Sequence, residues 1–274
     1  MEKKKRIFEL DFLKTIAILA MLFDHFTYLF SISTGYMGWT SYIFKNYNEI
    51  NNSALNKFID FTIRFQDSNL RLAGHYIFVT LFLFLCGISC TLSRSNLKHG
   101  LKTLVGGLII TAVTVVMSLV SGEDMYIIFG ILTTLGVSIL MIAVVEKVYD
   151  NKWLYLIIGS VLIIWGFIIK WWEAPRIYYL SELSFLDFIQ VILGYKVYGL
   201  DHFGIIPCTG VVFLGVFVGK TLYANKKTLL PSLDGKWNIP FTFISKHALL
   251  VYLLHQVISV IIIFLIFFGV GYRI

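Results

Sequence analysis

The chain has 274 residues, of which 58% are hydrophobic and only 14% charged, and its mean hydropathy is +0.80. A soluble domain carries about 25% charge, so there is too little polar surface here to cover a water-facing globule, and the surplus apolar surface requires lipid as its solvent. The net charge of +7 does not read as nucleic-acid binding, because the Lys and Arg residues sit in short segments flanking apolar runs, where orientation signals and lipid-headgroup contacts belong.

The N-terminal segment Met1-Glu-Lys-Lys-Lys-Arg6 precedes a long apolar run. No small-residue cleavage site follows it, and the run holds Asp24 and His25, so a cleaved signal peptide is not expected. Crossing the hydrocarbon takes about 20 apolar residues. Runs of that kind lie at roughly 12–32, 75–93, 101–121, 126–146, 152–170, 204–223 and 245–269. A weaker segment at about 183–199 contains Asp187, Gln190 and Lys196 and is expected to be interfacial or re-entrant. The predicted fold is all-α, a polytopic transmembrane helical bundle of about seven spans. Four prolines and no low-complexity tract predict one membrane-embedded domain over 1–274.

With the N-terminus inside, segments 1–11, 94–102, 147–152 and 220–246 also fall inside. They contain Lys3, Lys4, Lys5, Arg6, Arg94, Lys98, Lys102, Lys147, Lys152, Lys220, Lys226, Lys227, Lys236 and Lys246. The outside turn at 122–125 has Glu123 and Asp124 and no base. This asymmetry predicts a multi-pass cell-membrane protein with a cytoplasmic N-terminus and an external C-terminus. Counting 183–199 as a full span would put the lysine-rich 220–246 segment outside, which argues for seven spans. Two long exterior segments remain, 33–74 with Tyr36, Trp39, Tyr42, Asn51 and Asn52, and 171–203 with Trp171, Trp172, Tyr178 and Tyr179. Both are longer than a connection requires; a lid or an acceptor-binding surface is expected there, with the tryptophan pair as interface anchors.

The first span carries the most chemistry. At about 100° per residue, Lys14 and His25 fall within about 20° of each other around the helix, and Asp11 lies within about 60° of both. Lys14 and His25 are about 16 Å apart along the axis, so they would serve different levels of one site. Charges at the bilayer centre cost at least ~2.5–3.5 kcal/mol each and tend to face the bundle interior. Asp11 and Lys14 also fit a plain i,i+3 pair at the inner interface. Imidazole is the side chain suited to moving protons near neutral pH, and His25 is the candidate. Asp24 is its neighbour in sequence but points about 100° away on a helix. His75 opens the second span, Asp201-His202 precedes the sixth, and His247 and His255 lie on the last, about 80° apart. An exterior pocket combining His25, His75 and His202 with Asp24 and Asp201 is expected. No metal is expected, because no HxxH-type spacing appears. His99 reads as a solvated loop residue.

Cys86 and Cys90 lie one turn apart and Cys208 stands alone, a spacing that offers neither a disulfide framework nor a zinc motif. P-loop, GxGxxG and GxSxG patterns are missing. Arg94, Lys98, Lys102, Lys226 and Lys227 suit either phosphate contacts or the setting of topology.

Four segments, in order, resemble the bacterial relatives of heparan-α-glucosaminide N-acetyltransferase, within the transmembrane acyltransferases that modify cell-surface sugars. They are Arg6-Ile-Phe-Glu-Leu-Asp-Phe-Leu-Lys-Thr-Ile-Ala-Ile with Asp24-His25-Phe26; Leu83-Phe-Leu-Cys-Gly-Ile-Ser-Cys-Thr-Leu-Ser-Arg94; Phe129-Gly-Ile-Leu132; and Ser245-Lys-His-Ala-Leu-Leu-Val-Tyr-Leu-Leu-His-Gln256. Asp201-His-Phe-Gly-Ile-Ile-Pro207 with Gly210 resembles the family's segment before its penultimate span. The Lys14-to-His25 spacing also resembles the broader acyltransferase-3 pattern. Two positions depart: Thr133 stands where the family commonly has histidine, and Cys208 where an aromatic residue is common. The resemblance implies transfer of an acyl group, acetyl in the first instance, from cytoplasmic acyl-CoA to an extracytoplasmic sugar or glycan hydroxyl or amine. It implies His25 as general base or transient acyl carrier, Asp24 or Asp201 with His202 supporting it, and Lys14, Arg94, Asp11, His75 and His255 as substrate contacts. The rival reading is a proton-coupled transporter or channel using the same buried Asp and His residues; the lack of repeated halves weighs against it.

Overall fold

The structure is a computed structural model that describes residues 6–34, 40, 43–44, 52–121, 124, 126–179 and 182–274. Lys3, Lys4, Lys5, Tyr36, Trp39, Tyr42, Asn51 and Glu123, to which roles were assigned above, lie outside the described residues. Ten helices are present among the described residues: α1 (Phe8–Thr34), α2 (Ser53–Gln66), α3 (Asn69–Leu92), α4 (Asn96–Ser121), α5 (Ile131–Val148), α6 (Lys152–Ile168), α7 (Phe185–Leu193), α8 (Ile205–Leu222), α9 (Ile239–Lys246) and α10 (Ala248–Val270). Two short strands, β1 (Arg176–Ile177) and β2 (Val197–Tyr198), pair in parallel with Arg176 opposite Val197.

The protein is an all-α multi-pass membrane protein. Six helices, α1, α3, α4, α5, α8 and α10, are long and apolar enough to cross a membrane. The remaining expected span, at 152–170, is α6, which is apolar but has 17 residues, about 26 Å of helix at 1.5 Å per residue, at the short end of the spanning range. The segment expected to be interfacial contains α7, whose nine residues make about 14 Å and cannot span.

The 33–74 stretch, expected above to be a long exterior connection, contains a helix. In α2, Leu55 and Thr62 are buried and Phe58 and Ile59 half-buried, the 3.6-residue spacing of an amphipathic helix. Asn52 caps it, its Oδ1 accepting from the N–H groups of Ala54 and Leu55 at 3.0 Å each. The next helix, α3, begins at Asn69, six residues earlier than the apolar run suggests, because Asn69, Arg71 and Gly74 dilute the hydropathy without breaking the helix.

The chain divides into two compact units: Met1–Leu10 with Thr80–Gly235, and Asp11–Val79 with Lys236–Ile274. In the first, small residues let helices meet backbone to backbone, as membrane helices require when lipid offers no hydrophobic drive between them. A Cβ on Gly87 of α3 would run into the Val212 carbonyl of α8, and one on Gly215 into the Phe84 carbonyl. Thr133, the residue in place of the family's histidine, is buried against Gly107, where α4 and α5 cross. The foot of α1 is tied down by buried Glu9, whose carboxylate accepts from Thr228 Oγ1 at 2.5 Å and from the Leu229 N–H at 2.7 Å.

The second unit has an aromatic core of Phe30, Phe44, Leu55, Ile263, Phe267 and Tyr272. Phe44 stacks on Phe267 with centroids 5.2 Å apart, and Phe30 meets Phe58 edge-on at 4.8 Å. This core holds α1, α2 and α10 together and so fixes where α1 and α10 present their histidines.

Candidate active site

Around the middle of α1, the second unit collects His25, Asp24, Arg71, His75, Gln66 and His255. His25 Nδ1 lies 2.7 Å from His255 Nε2, the two rings inclined by 24° with centroids 4.9 Å apart. The other ring nitrogen of His255, Nδ1, lies 2.5 Å from the Tyr252 carbonyl oxygen, one turn back on α10. A carbonyl only accepts, so His255 Nδ1 carries the proton. Neutral His255 then offers Nε2 as an acceptor, and His25 must donate from Nδ1. His25 Nε2 is left unprotonated, with no partner among the described residues. The order Tyr252 carbonyl, His255, His25 thus assigns both tautomers and leaves one basic nitrogen at its end.

Asp24 turns the other way. Its carboxylate takes a two-pronged bond from Arg71, 2.7 Å from Nε and 3.1 Å from Nη2, and His75 Nδ1 stands 3.5 Å off. Gln66 Nε2 donates to the Asp24 carbonyl at 3.3 Å and to Thr27 Oγ1 at 2.9 Å. The α2–α3 corner is thereby fastened to α1 at the turn that bears His25. The ring partner of His25 is His255, while Asp24 serves the corner. Nearer the start of α1, buried Asp11 accepts from Ser245 Oγ at 2.7 Å, and Thr15 Oγ1 donates to the Phe241 carbonyl at 2.6 Å. Lys14, on the next turn, is half-buried.

The other expected residues belong to the first unit. Arg94 is exposed just before α4. Residues 199–203 run along 126–130: the Leu200 and Phe203 N–H groups each donate at 3.0 Å, to the carbonyls of Tyr126 and Phe129, and Thr134 Oγ1 bonds the Phe203 carbonyl. Two stretches that carried the resemblance, Phe129–Leu132 and Asp201–Pro207, are therefore neighbours. Gly199 makes the approach feasible: its φ is +89°, and a Cβ there would strike the Tyr126 carbonyl. The Asp201 carboxylate stands beside Gly130, the N-cap residue just before α5, where the helix dipole favours negative charge. His202 Nε2 donates to the Val191 carbonyl of α7 at 2.8 Å, and burial holds this imidazole below its usual pKa. Ser184 and Asp187 form a capping box at the other end of α7. The Lys196 ammonium 2.5 Å away, followed by Ser184, pulls Asp187 down to about 2.

Three or more His, Cys, Asp or Glu side chains do not gather as metal ligands among the described residues. Reading the sequence missed Arg71, Gln66 and the Tyr252 carbonyl. Arg71 and His75 sit four apart on one face of α3, the spacing that lets both reach Asp24. That i,i+4 pair is visible in the sequence once the helix is begun at Asn69.

Residues 52–257 match the family described as heparan-alpha-glucosaminide N-acetyltransferase, catalytic. The match takes in about three quarters of the chain. The chain belongs to that family. Arg71, His75, Arg94, Asp201, His202 and His255 all lie inside the matched stretch, and α1 with Lys14, Asp24 and His25 precedes it. No curated protein and no solved structure matches the chain. Membership of the family, on six long apolar helices, makes this a membrane acetyltransferase-like protein.

Proposed function

We propose that the protein transfers an acetyl group from cytoplasmic acetyl-CoA, or another acyl-CoA, to a sugar hydroxyl or amine on the far side of the cell membrane, with His25 as the general base. The observation that carries the reading is the bare Nε2 of His25, its tautomer fixed through His255 by the Tyr252 carbonyl. Family membership supports the acyl donor. In the reaction, the acceptor oxygen or nitrogen attacks the thioester carbonyl carbon as its proton passes to His25 Nε2. The tetrahedral intermediate then breaks its C–S bond, and the departing coenzyme A thiolate receives that proton from the imidazolium. Lys14, a half-buried cation on the same helix, is assigned to the donor on its charge. Asp201 and His202 hold the neighbouring backbone in the first unit, and their part in catalysis rests on the resemblance.

His25→Gln should abolish acetyl transfer while leaving the melting temperature of the purified protein within a few degrees. Full activity in that variant would remove His25 from the chemistry. Proton flux through liposomes in the absence of any acyl donor would favour a transporter instead.

A further inference from the structure

We infer that the free edge of the Arg71 guanidinium is an oxyanion-binding site beside His25. Either the oxygen that gains charge as the thioester is attacked or an anionic group on the acceptor would occupy it. The inference rests on the reading of His25 as base for its catalytic meaning, though not for the existence of the site.

A guanidinium carries five N–H donors in a rigid plane. Asp24 takes the one on Nε and one of the two on Nη2. Both N–H groups of Nη1 and the second of Nη2 have no partner among the described residues, and the side chain is 26% exposed. Asp24 therefore does two things: it compensates the charge of Arg71, and it fixes the plane in which the remaining donors point. Asp24 and His25 are consecutive, with Cα atoms about 3.8 Å apart and side chains about 100° apart around the helix, so a guanidinium clamped to Asp24 belongs to the turn of α1 that carries His25. His75 leans on the same carboxylate at 3.5 Å, and Gln66 binds the Asp24 backbone, so the clamp is anchored from α2 and from α3. A fixed donor array next to a base is what a developing oxyanion needs, because donors already in place cost no reorganisation when charge forms. The charges then close: as His25 gains a proton, the carbonyl oxygen gains a negative charge, and Arg71 is the cation with donors to spare.

The test uses the full chain in nanodiscs, acetyl-CoA as donor, and glucosamine and glucosamine 6-phosphate as acceptors. If the reaction oxyanion is bound, Arg71→Gln lowers kcat about 100-fold with both acceptors and barely moves KM, and millimolar guanidinium ion restores part of the rate. If the acceptor's anion is bound, the loss appears as a raised KM for glucosamine 6-phosphate alone. Arg71→Lys, which keeps the charge and loses the fork, should recover only a fraction. Because Arg71→Gln strands Asp24, the pair Asp24→Asn with Arg71→Gln is measured alongside it for folding. A binding measurement stands apart from turnover: inorganic phosphate should raise the melting temperature of the wild type and of His25→Gln, relative to chloride at equal ionic strength, and should leave Arg71→Gln unmoved. Rates within twofold of wild type for Arg71→Gln on both acceptors, or equal phosphate shifts with and without Arg71, overturn the site. A wild-type protein that responds to phosphate yet transfers no acetyl group sinks the reading of His25 and leaves the oxyanion site standing.

Discussion

The tautomer that leaves His25 Nε2 unprotonated is held by His255, whose own proton lies on the Tyr252 carbonyl. On the proposed reading His255 is a positioning residue, and replacing it by Phe frees His25 to adopt either tautomer. His255→Phe should lower kcat roughly tenfold or more and alter the pH dependence of kcat, where a merely structural role would change stability and leave the profile alone; rates measured across pH decide it. Asp24→Asn tests the other partner. It leaves Arg71 half-buried opposite a neutral amide, and breaking a fully buried pair costs about 3–5 kcal/mol. Partial exposure of both side chains reduces this to about 2 kcal/mol, read as a lowered melting temperature. Both imidazoles were legible in the sequence, since histidine inside an apolar run is conspicuous. Their partnership was not, because nothing local ties position 25 to position 255, and periodicity reports only on neighbours along one helix. Arg71 was hidden for a different reason: hydropathy placed it in a loop.

Among the elements, α7 shows how short-range chemistry replaces length. Nine residues are too few to be stable alone, so the helix depends on its capping box, on Lys196 and on the His202 bond to Val191. Its two ends should part company with pH. Burial keeps the folded pKa of His202 below the ordinary 6.5, so a detached His202 takes up a proton first. The tether is intact above about 6.5 and weakens as the pH falls below it. Asp187, held at about 2, stays ionised far below that, and its contribution is lost only as the pH falls from the usual carboxylate range towards 2. Hydrogen exchange should therefore show the last turn of α7 loosening between pH 7 and pH 5, with the first turn still protected. Where helices cross, the limits are steric. Gly87→Leu has no room against the α8 backbone and should destabilise by about 1–3 kcal/mol, read as lost thermal stability; Thr133→His, restoring the family's residue, should fare as badly against Gly107. Apolar runs foretold the long helices because hydropathy over about 20 residues is a strong signal. Helix α2 escaped because only one of its faces is apolar, and the two-residue strands because so short a pairing has no sequence period of its own.

For the whole molecule, the proposed orientation has a direct check. In a cysteine-free background, Lys226→Cys should react with a membrane-impermeant maleimide only from the cytoplasmic side, and Arg64→Cys, exposed on α2, only from outside. The reverse pattern would invert the topology. Spans, basic flanks and family were all within reach of the sequence. Its division into two units was not, since it depends on which distant helices meet.

The second unit is assembled from the beginning and the end of the chain. A ribosome that has threaded α1 into the bilayer must add another two hundred residues before α10 emerges, and His25 and His255 are 230 positions apart. Until then the ring on α1 lacks the His255 acceptor for its Nδ1 proton, and its tautomer is not fixed. On the proposed reading, a chain lacking α10 keeps the imidazole of His25 but loses the contact that sets its tautomer, so its acetyl transfer should fall at least as far as that of His255→Phe.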